Sequence, residues 1–372
     1  MKKVTALIAA LCILFLPACT VSSPVYMSSG KYEITKSMYE YWLSYYKTRF
    51  YGSFSSYGIF DGEYDGSVWD ERPDGGESFG EQVSAYVDRI VKEMIVCAKI
   101  FDESGLSAEK DTKKLLSDTV GQFIDEAVKA AGSRPELNSI LSAFGMNVNG
   151  LRRVYEYEAK ALIVSDRYFG EGGEYEPTDD EKERYYIENY HRVKHILIND
   201  TFKYVLDDNG EPVMDIYTGK YKREDLTEEE KAEKKALARN LLERAENGED
   251  FEALIAEYNE DSGMETFPEG YFVKADSMLD TKYLTAALTL PEGGVSLEET
   301  TYGLMIIKKY PPVPGIWRDE TYSAFFTELT SDVTDVKKQE IFGKRFPEIT
   351  VNGTIDFNSV PLMDERIVNN AQ

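Results

Sequence analysis

Residues able to do acid–base or nucleophilic chemistry are few in this chain, and the best candidates lie between positions 192 and 310. The chain has 372 residues and only two histidines, His191 and His195. It contains neither a His-Glu-x-x-His zinc motif nor a Gly-x-Ser-x-Gly nucleophile motif. The sequence therefore predicts no metal, no cofactor and no hydrolase. The candidates are the imidazole of His195 and the carboxylate of Asp261, in the phrase Asn259-Glu-Asp-Ser262.

The segment around His195 alternates in residue type as a β-strand does. In the phrase Arg192-Val-Lys-His-Ile-Leu-Ile198, the side chains of Val193, His195 and Leu197 point to one side of the strand. The phrase Tyr302-Gly-Leu-Met-Ile-Ile-Lys308 predicts a later, apolar strand.

A hairpin and a helix are predicted between these two strands. Residues 199–226 form a long connection, in which Lys203–Leu206 and Val213–Tyr217 flank Asp208-Asn209-Gly210. This pattern predicts a β-hairpin. Thr227-Glu-Glu-Glu230 then has the spacing of a helix-capping box.

The N-terminus has the features of a bacterial export signal. Lys2 and Lys3 precede an apolar stretch, Val4 to Leu16, that is too short to span a bilayer. The stretch ends in Leu16-Pro17-Ala18-Cys19, which resembles a lipobox, where the cysteine is lipidated. The prediction is a signal peptide over 1–18, lipid on Cys19 and a tether over 19–30. The alternative is ordinary secretory cleavage, with Cys19 incidental.

Charge and cysteine content narrow the classes further. The net charge is 42 − 67 = −25, and such an acidic surface repels a phosphate backbone, so nucleic acid is not expected as a partner. Cys12 leaves with the signal peptide and Cys19 would bear lipid, which leaves Cys97 alone and predicts no internal disulfide. Cys97 lies in an apolar helical run and is interpreted as a small buried hydrophobe.

Helical segments surround the region that contains His195. Apolar spacing and caps predict helices over about 81–103, 107–132, 133–145 and 150–169. Pro177-Thr-Asp-Asp-Glu181 begins another helix, and the chain becomes helical again over 319–346 after a proline-rich phrase.

The order and spacing of the three phrases resemble a parvulin-type peptidyl-prolyl isomerase domain. Together with the helices and the lipid signal, the pattern resembles extracytoplasmic foldases of the PrsA and SurA type. The resemblance implies an α+β fold, with a discontinuous, all-helical chaperone domain and an inserted parvulin (FKBP-like) α/β domain. The implied bounds are 31–190 for the N-terminal helical domain, 191–312 for the isomerase domain and 313–372 for the returning C-terminal helix and tail.

The resemblance also implies functional residues. His195, Asp261 and Met305 fall at active-site positions, but Met305 stands where the family usually has a second histidine. The implied substrate-binding residues, which would hold the proline and its neighbours, are Phe272, Met278, Tyr283, Leu288 and Tyr302. The implied partners are unfolded or translocating secreted proteins with X–Pro bonds, together with the membrane through the lipid on Cys19. The implied location is the outer face of the bacterial cytoplasmic membrane, and family members often enclose clients as homodimers.

Three functions remain open at this point. The first is an anchored isomerase and foldase with weakened activity, favoured by Asp261, Phe272 and Met278. The second is a holdase that uses the same fold without turnover, favoured by Met305 and by Glu269 at a pocket position that is leucine in the family. The third, a solute-binding lipoprotein, is disfavoured because the N-terminal half lacks alternating strands and helices. The alternative for Asp261 is a purely structural role, as a loop carboxylate that caps a turn.

Overall fold

The computed structural model describes residues 23–56, 64–73, 75–207 and 209–369. The predicted signal peptide and Cys19 lie outside these residues. The chain divides into two units: one combines the segment up to Glu176 with the segment from Lys337 onward, and the other spans Pro177–Val336. The predicted α+β class, with a discontinuous helical domain and an inserted α/β domain, is confirmed.

The secondary structure follows in chain order. The first elements are β1 (Val25–Ser29), β2 (Tyr32–Thr35), α1 (Lys36–Ser56), α2 (Phe79–Glu103), α3 (Lys110–Ala131), α4 (Arg134–Ser142) and α5 (Val148–Phe169). Next come α6 (Asp179–Asn189), β3 (His191–Ile198), β4 (Phe202–Tyr204), β5 (Arg223–Asp225), α7 (Glu228–Glu246), α8 (Phe251–Tyr258), α9 (Gly263–Thr266), β6 (Tyr271–Val273) and α10 (Thr281–Thr289). The last are β7 (Val295–Thr300), β8 (Gly303–Tyr310), α11 (Leu329–Gly343), β9 (Thr350–Val351) and α12 (Glu365–Asn369).

The helical unit is built around one large apolar core. The long helices begin at side-chain caps where the sequence provides them, as at Ser78, whose hydroxyl accepts from the backbone N–H of Glu81 in a capping box. Helices α1, α2, α3 and α5 bury aromatic and aliphatic residues against one another, including Trp42 and Val87. Within the described ranges, no helix is long and apolar enough to cross a membrane.

The predicted tether is wrong over its second half. Residues 25–29 form strand β1, which pairs antiparallel with β2 and, across the whole length of the chain, with β9. Met27 of this strand is fully buried in the helical core. The small polar residues of this segment suggested a tether. They form a strand because they pair with β9, which lies more than three hundred positions away in sequence.

The inserted unit contains a four-stranded antiparallel sheet in the order β6-β3-β8-β7. Helices α7 and α8 cover one face, where Ile196 and Ile306 are buried. Helix α10 covers part of the other face, where Val193 and Ile307 are buried. His195 lies in the central strand β3 directly opposite Ile307 of β8, so the fold places the imidazole under the α10 side of the sheet.

The boundaries of the inserted unit are wider than the predicted 191–312. Helix α6 and the segment after Pro311 join it because an aromatic cluster bridges them to β6. Tyr186 of α6 lies 5.4 Å, between ring centroids, from Phe326, and Phe326 lies 5.2 Å from Phe272. The unit boundary falls inside α11 instead of at residue 313.

The predicted hairpin in 199–226 differs in register from the observed one. Phe202–Tyr204 pairs with Arg223–Asp225 and not with 213–217. Between these two strands the chain makes two tight turns, which are closed by the bridges Leu206–Pro212 and Met214–Tyr221. The turn at 209–210 was recognised, but a second turn around Gly219, which has a φ of +66°, returns the chain.

Candidate functional site

His195 is held at both ring nitrogens. Its side chain is 1% exposed in the middle of β3. The Nε2 atom lies 2.9 Å from Asp261 Oδ2, and Nδ1 lies 3.1 Å from the hydroxyl oxygen of Tyr283. The rings of Tyr271 and Tyr283 meet the imidazole edge to face, at centroid distances of 5.3 and 5.5 Å. The imidazole is therefore fixed in position and orientation.

Asp261 is positioned by the loop that follows α8. The Asn259 side chain ties this loop to strand β3, because its Oδ1 accepts from the backbone N–H of Leu197 at 2.8 Å and from that of Asp261 at 3.1 Å. The Asp261 carboxylate also accepts from the backbone N–H of Gly263 at 2.9 Å and from the hydroxyl of Tyr271 at 2.8 Å. The alternative for Asp261 was a loop carboxylate that only caps a turn. In the structure it caps its own turn and also forms a hydrogen bond with His195.

The two hydrogen bonds of His195 join it to an ionised carboxylate and to a neutral phenol. The hydrogen bond from His195, helped by those from Gly263 and Tyr271, lowers the pKa of Asp261 to about 2, against the effect of burial. The carboxylate is therefore ionised at neutral pH and accepts from Nε2–H. Burial raises the pKa of Tyr283 far above its usual range, so its phenol keeps its proton and can donate it to Nδ1 of His195, 3.1 Å away.

Tyr271, Asn259 and Gly263 were missed by the sequence reasoning. A β-carbon added at Gly263 would lie 2.0 Å from the Tyr271 hydroxyl, so only glycine leaves room for that hydroxyl on Asp261. The motif Asn-Glu-Asp-Ser-Gly could have pointed to Asn259 and Gly263, since Asn and Asp side chains bond their own backbone in turns.

Met305 lies on the same face of the sheet as His195. It is buried in β8 opposite Leu197, two positions from Ile307, which faces His195. Its neighbours in the apolar cluster include Tyr283. A thioether cannot make the hydrogen bonds of a histidine, and in this chain Tyr283 occupies the remaining nitrogen of His195.

Phe272 does not lie beside His195, and this is a correction to the sequence interpretation. In β6, Tyr271 pairs with Val193 and Phe272 pairs with Arg192, so the two aromatic rings lie on opposite faces. Phe272 is buried in the cluster with Tyr186, whereas Tyr271 packs on the His195 side. The register of a three-residue strand decided which ring faces the site.

The other predicted substrate-binding residues are divided between the interior and the surface. Tyr283 is 4% exposed and serves as the partner of His195, so it does not form an open surface. Met278 and Tyr302 are 75% and 59% exposed. The backbone N–H of Thr301 donates to Asp280 at 2.9 Å and so joins the two segments that carry these residues. Leu288 is half-buried on α10.

Glu269, which suggested a damaged pocket, is engaged elsewhere. Its carboxylate forms an ion pair with Arg192, and its backbone N–H donates to the hydroxyl of Tyr322 at 2.8 Å. The next residue, Gly270, has a φ of +94°, and a β-carbon there would lie 2.4 Å from the carbonyl oxygen of Val193. The glycine is required at this close approach.

The described part of the chain contains no cluster of acidic, histidine or cysteine side chains that could hold a metal.

The sheet, the helix that covers it and the buried imidazole with its carboxylate lie within a stretch that matches a known domain family. Residues 187–310 match the family of PPIC-type PPIase domains. This match confirms the parvulin-type domain that the sequence predicted. No curated protein matches the chain.

Solved structures with similarity to this chain include PrsA proteins from three bacteria. PrsA from Bacillus subtilis is 18% identical with a TM-score of 0.24, and the match covers 80% of this chain and 91% of that one. The peptidyl-prolyl isomerase PrsA from Bacillus cereus is 16% identical with a TM-score of 0.27, over 79% and 93%. Foldase protein PrsA from Streptococcus pneumoniae is 16% identical with a TM-score of 0.22, over 72% and 85%. The domain assignment rests on residues 187–310 and not on these similarities.

Proposed function

We propose that this chain is a membrane-anchored extracytoplasmic foldase whose inserted unit isomerises X–Pro bonds in secreted polypeptides. The observation that supports this most is the buried chain of hydrogen bonds from Asp261 through His195 to Tyr283. Apolar residues of the sheet surround it, including Val193 and Ile307. The chain of bonds forms a fixed polar element inside an apolar wall, within a PPIC-type domain.

The reaction requires positioning and polarity, not bond formation. Rotation about a peptide bond has a barrier of about 20 kcal/mol, and uncatalysed X–Pro isomerisation takes tens of seconds or more. The planar amide is more polar than the twisted one. An apolar wall that binds the twisted amide better than either planar form lowers the barrier.

His195 does not act as a nucleophile or base in this mechanism. Its Nε2 is hydrogen-bonded to Asp261 and its Nδ1 to Tyr283, so neither ring nitrogen is free to bind a substrate. Its role is to fix the two tyrosines that flank it and to keep the wall rigid. Substrate would approach from the exposed side, where Met278 and Tyr302 present apolar surface.

The wider role rests on the sequence outside the isomerase unit. The signal features of residues 1–18 and the lipobox-like Cys19 support export and lipid anchoring on the outer face of the bacterial cytoplasmic membrane. The helical unit would hold unfolded secreted chains while the inserted unit acts on their prolines. A homodimer stays a prediction.

The second candidate is a holdase without turnover, and Met305 favours it. The loss of a histidine weakens the resemblance to an active isomerase, although the pairing of Glu269 with Arg192 removes the other objection. Both candidates bind extended chains, so binding alone does not separate them.

Refolding of a client protein whose slow phase is limited by X–Pro isomerisation separates the two candidates. The protein would be residues 19–372 with Cys19→Ser, used far below the client concentration. Acceleration of the slow phase by the parent and by His191→Ala, with loss in His195→Ala, is the expected result. Refolding that is unchanged at low amounts and retarded at equimolar amounts would instead identify the holdase.

A further inference from the structure

The helical unit contains a cavity of about 470 Å³ that the isomerase site does not use. Its walls come from α1, α2, α3, α5, α11 and α12, and every lining residue belongs to the helical unit. Its volume lies in the range of pockets that take small organic ligands. The residues that give the cavity its chemical character belong to α1 and α5.

Aromatic rings form much of the cavity wall. Tyr41, Trp42 and Tyr45 reach it from α1, Phe123 from α3 and Tyr155 from α5. Ring faces attract cations through their quadrupoles, most strongly where water is excluded. A wall of this kind suits a ligand with an apolar body and a positive end.

A carboxylate lies within the aromatic wall. Glu158 lines the cavity, and its Oε1 accepts a 2.6 Å hydrogen bond from the indole N–H of Trp42. Its Oε2 has no protein donor among the described residues, so lone pairs remain for a ligand. Burial raises the pKa of this half-buried carboxyl to about 7, as expected for an acid without a counter-ion.

The other charged groups at the cavity balance one another and leave Glu158 without a counter-ion. Glu93 of α2 is paired with Arg89, Glu126 of α3 lies at the rim, and Lys338 of α11 is the lining cation. With Arg89 counted, Glu93 and Glu126 are balanced by two bases (−2 + 2 = 0), so an ionised Glu158 gives the site a net charge of −1. The pKa values of Tyr41 and Tyr155 are raised by burial, so these phenols stay neutral and add no charge at neutral pH.

We infer that this cavity binds an organic ammonium or guanidinium group attached to an apolar body, with Glu158 as the counter-ion and the surrounding aromatic rings as the cage. The same chemistry is found in a free arylalkylamine and in a lysine or arginine beside an apolar residue of an extended polypeptide. The inference does not depend on isomerase activity, because every lining residue lies outside the isomerase unit.

The test is isothermal titration calorimetry with three probes of one shape. 4-Phenylbutylamine, 4-phenylbutan-1-ol and 4-phenylbutanoate share the phenylalkyl body and end in a cationic, a neutral and an anionic group. The expected order is amine tighter than alcohol by about tenfold, from a desolvated cation–π contact and a charge-assisted hydrogen bond, with the carboxylate weaker than both. Equal binding of the three probes, or binding of none, overturns the inference.

Variants locate the binding. Glu158→Gln keeps the size of the side chain and the oxygen that accepts from Trp42. It should lower the affinity for the amine about tenfold and change the affinity for the alcohol by less than about twofold. Glu156→Gln is the matched control, since it is the same change on an exposed position of the same helix. Should Glu158→Gln not fold, Tyr45→Leu takes its place, and unchanged amine affinity in that variant contradicts the cage.

Proton release gives a second readout. A bound cation favours the ionised form of Glu158, so at pH 7 the amine should release about half a proton, measured from the dependence of heat on buffer ionisation. No release by the parent contradicts the role of Glu158.

Peptides distinguish the two sources of the ligand. Binding of a short Lys-Phe peptide, lost when norleucine replaces lysine, would identify client side chains as the source; binding of the amine alone would identify a free small molecule. The His195→Ala variant should bind the amine unchanged. A failure of the isomerase proposal would therefore leave amine binding unchanged, and a failure of this inference would leave the isomerase result unchanged.

Discussion

Tyr283 should contribute to stability because it hydrogen-bonds to a buried imidazole nitrogen. The change Tyr283→Phe removes the donor to His195 Nδ1, at 3.1 Å in the structure, and leaves that nitrogen buried without a partner. An unsatisfied buried polar group costs about 1–3 kcal/mol. The free energy of unfolding of the inserted unit should therefore fall by about 2 kcal/mol, together with most of the isomerase activity.

Tyr310→Phe is the matched control for Tyr283→Phe. The hydroxyl of Tyr310 donates at 2.8 Å to Glu252, whose side chain is 51% exposed. Water can replace that hydrogen bond, so the cost should stay below about 1 kcal/mol. Urea unfolding followed at equilibrium, with the slope against urea unchanged, measures both variants.

Nitrogen-15 NMR of the histidines tests the same reasoning without unfolding the protein. The chain has only His191 and His195, so the spectrum is simple and His191 is an internal reference. The imidazole proton should lie on Nε2, towards the ionised Asp261, with Nδ1 accepting from Tyr283. A proton on Nδ1, or equal destabilisation by Tyr283→Phe and Tyr310→Phe, would refute the assignment of Tyr283 as the required donor.

Three further predictions concern single residues. The Asp261 pKa is depressed to about 2 from 3.8, so its contribution is present above pH 4 and is lost as the pH falls towards 2; Asp261→Asn should cost about 2 kcal/mol at pH 7 and about half of that at pH 3, measured by urea unfolding. Gly270→Ala should destabilise the inserted unit by about 2 kcal/mol or more in thermal unfolding, because a β-carbon would lie 2.4 Å from the Val193 carbonyl oxygen. The Glu158 pKa is raised to about 7, so the parent loses stability as the pH rises from about 4.5 to 7. Glu158→Gln should then be more stable than the parent by about 2 kcal/mol at pH 8, with no gain at pH 4.

Each of these has a result that contradicts it. A cost of Asp261→Asn that does not change between pH 7 and pH 3 would mean that the carboxylate is not held ionised by His195. Gly121→Ala, at a helical position with open space around it, should be neutral or stabilising by up to about 1 kcal/mol, and a Gly270→Ala that behaves the same way would remove the steric argument. A Glu158→Gln gain that is equal at pH 4 and pH 8 would mean that packing, not charge, explains it.

The sequence was most informative where local pattern and spacing agree. Alternation along β3 predicted which side of the strand His195 occupies, and the capping box at Thr227 predicted the start of α7. The order of the three phrases predicted the isomerase domain that the family match confirms.

The features that the sequence did not predict depend on contacts between residues far apart in the chain. The face of Phe272 depends on the register of β6 against β3, which three residues do not encode by themselves. Strand β1 has β9 as a partner, and no local pattern reveals a partner so distant in sequence. The role of Tyr283 as a hydrogen-bond donor required knowing that α10 lies over His195.

The most direct test of the account is prolyl cis/trans exchange, measured by NMR on an Ala-Pro peptide with residues 19–372 bearing Cys19→Ser. The parent should accelerate exchange in proportion to its concentration, and His195→Ala should abolish the acceleration while His191→Ala retains it. That result would mean that a site with one histidine, held by Asp261 and Tyr283, is an isomerase. No acceleration by the folded parent, at protein concentrations where an intact parvulin acts, would contradict the central claim and leave a parvulin-shaped chaperone.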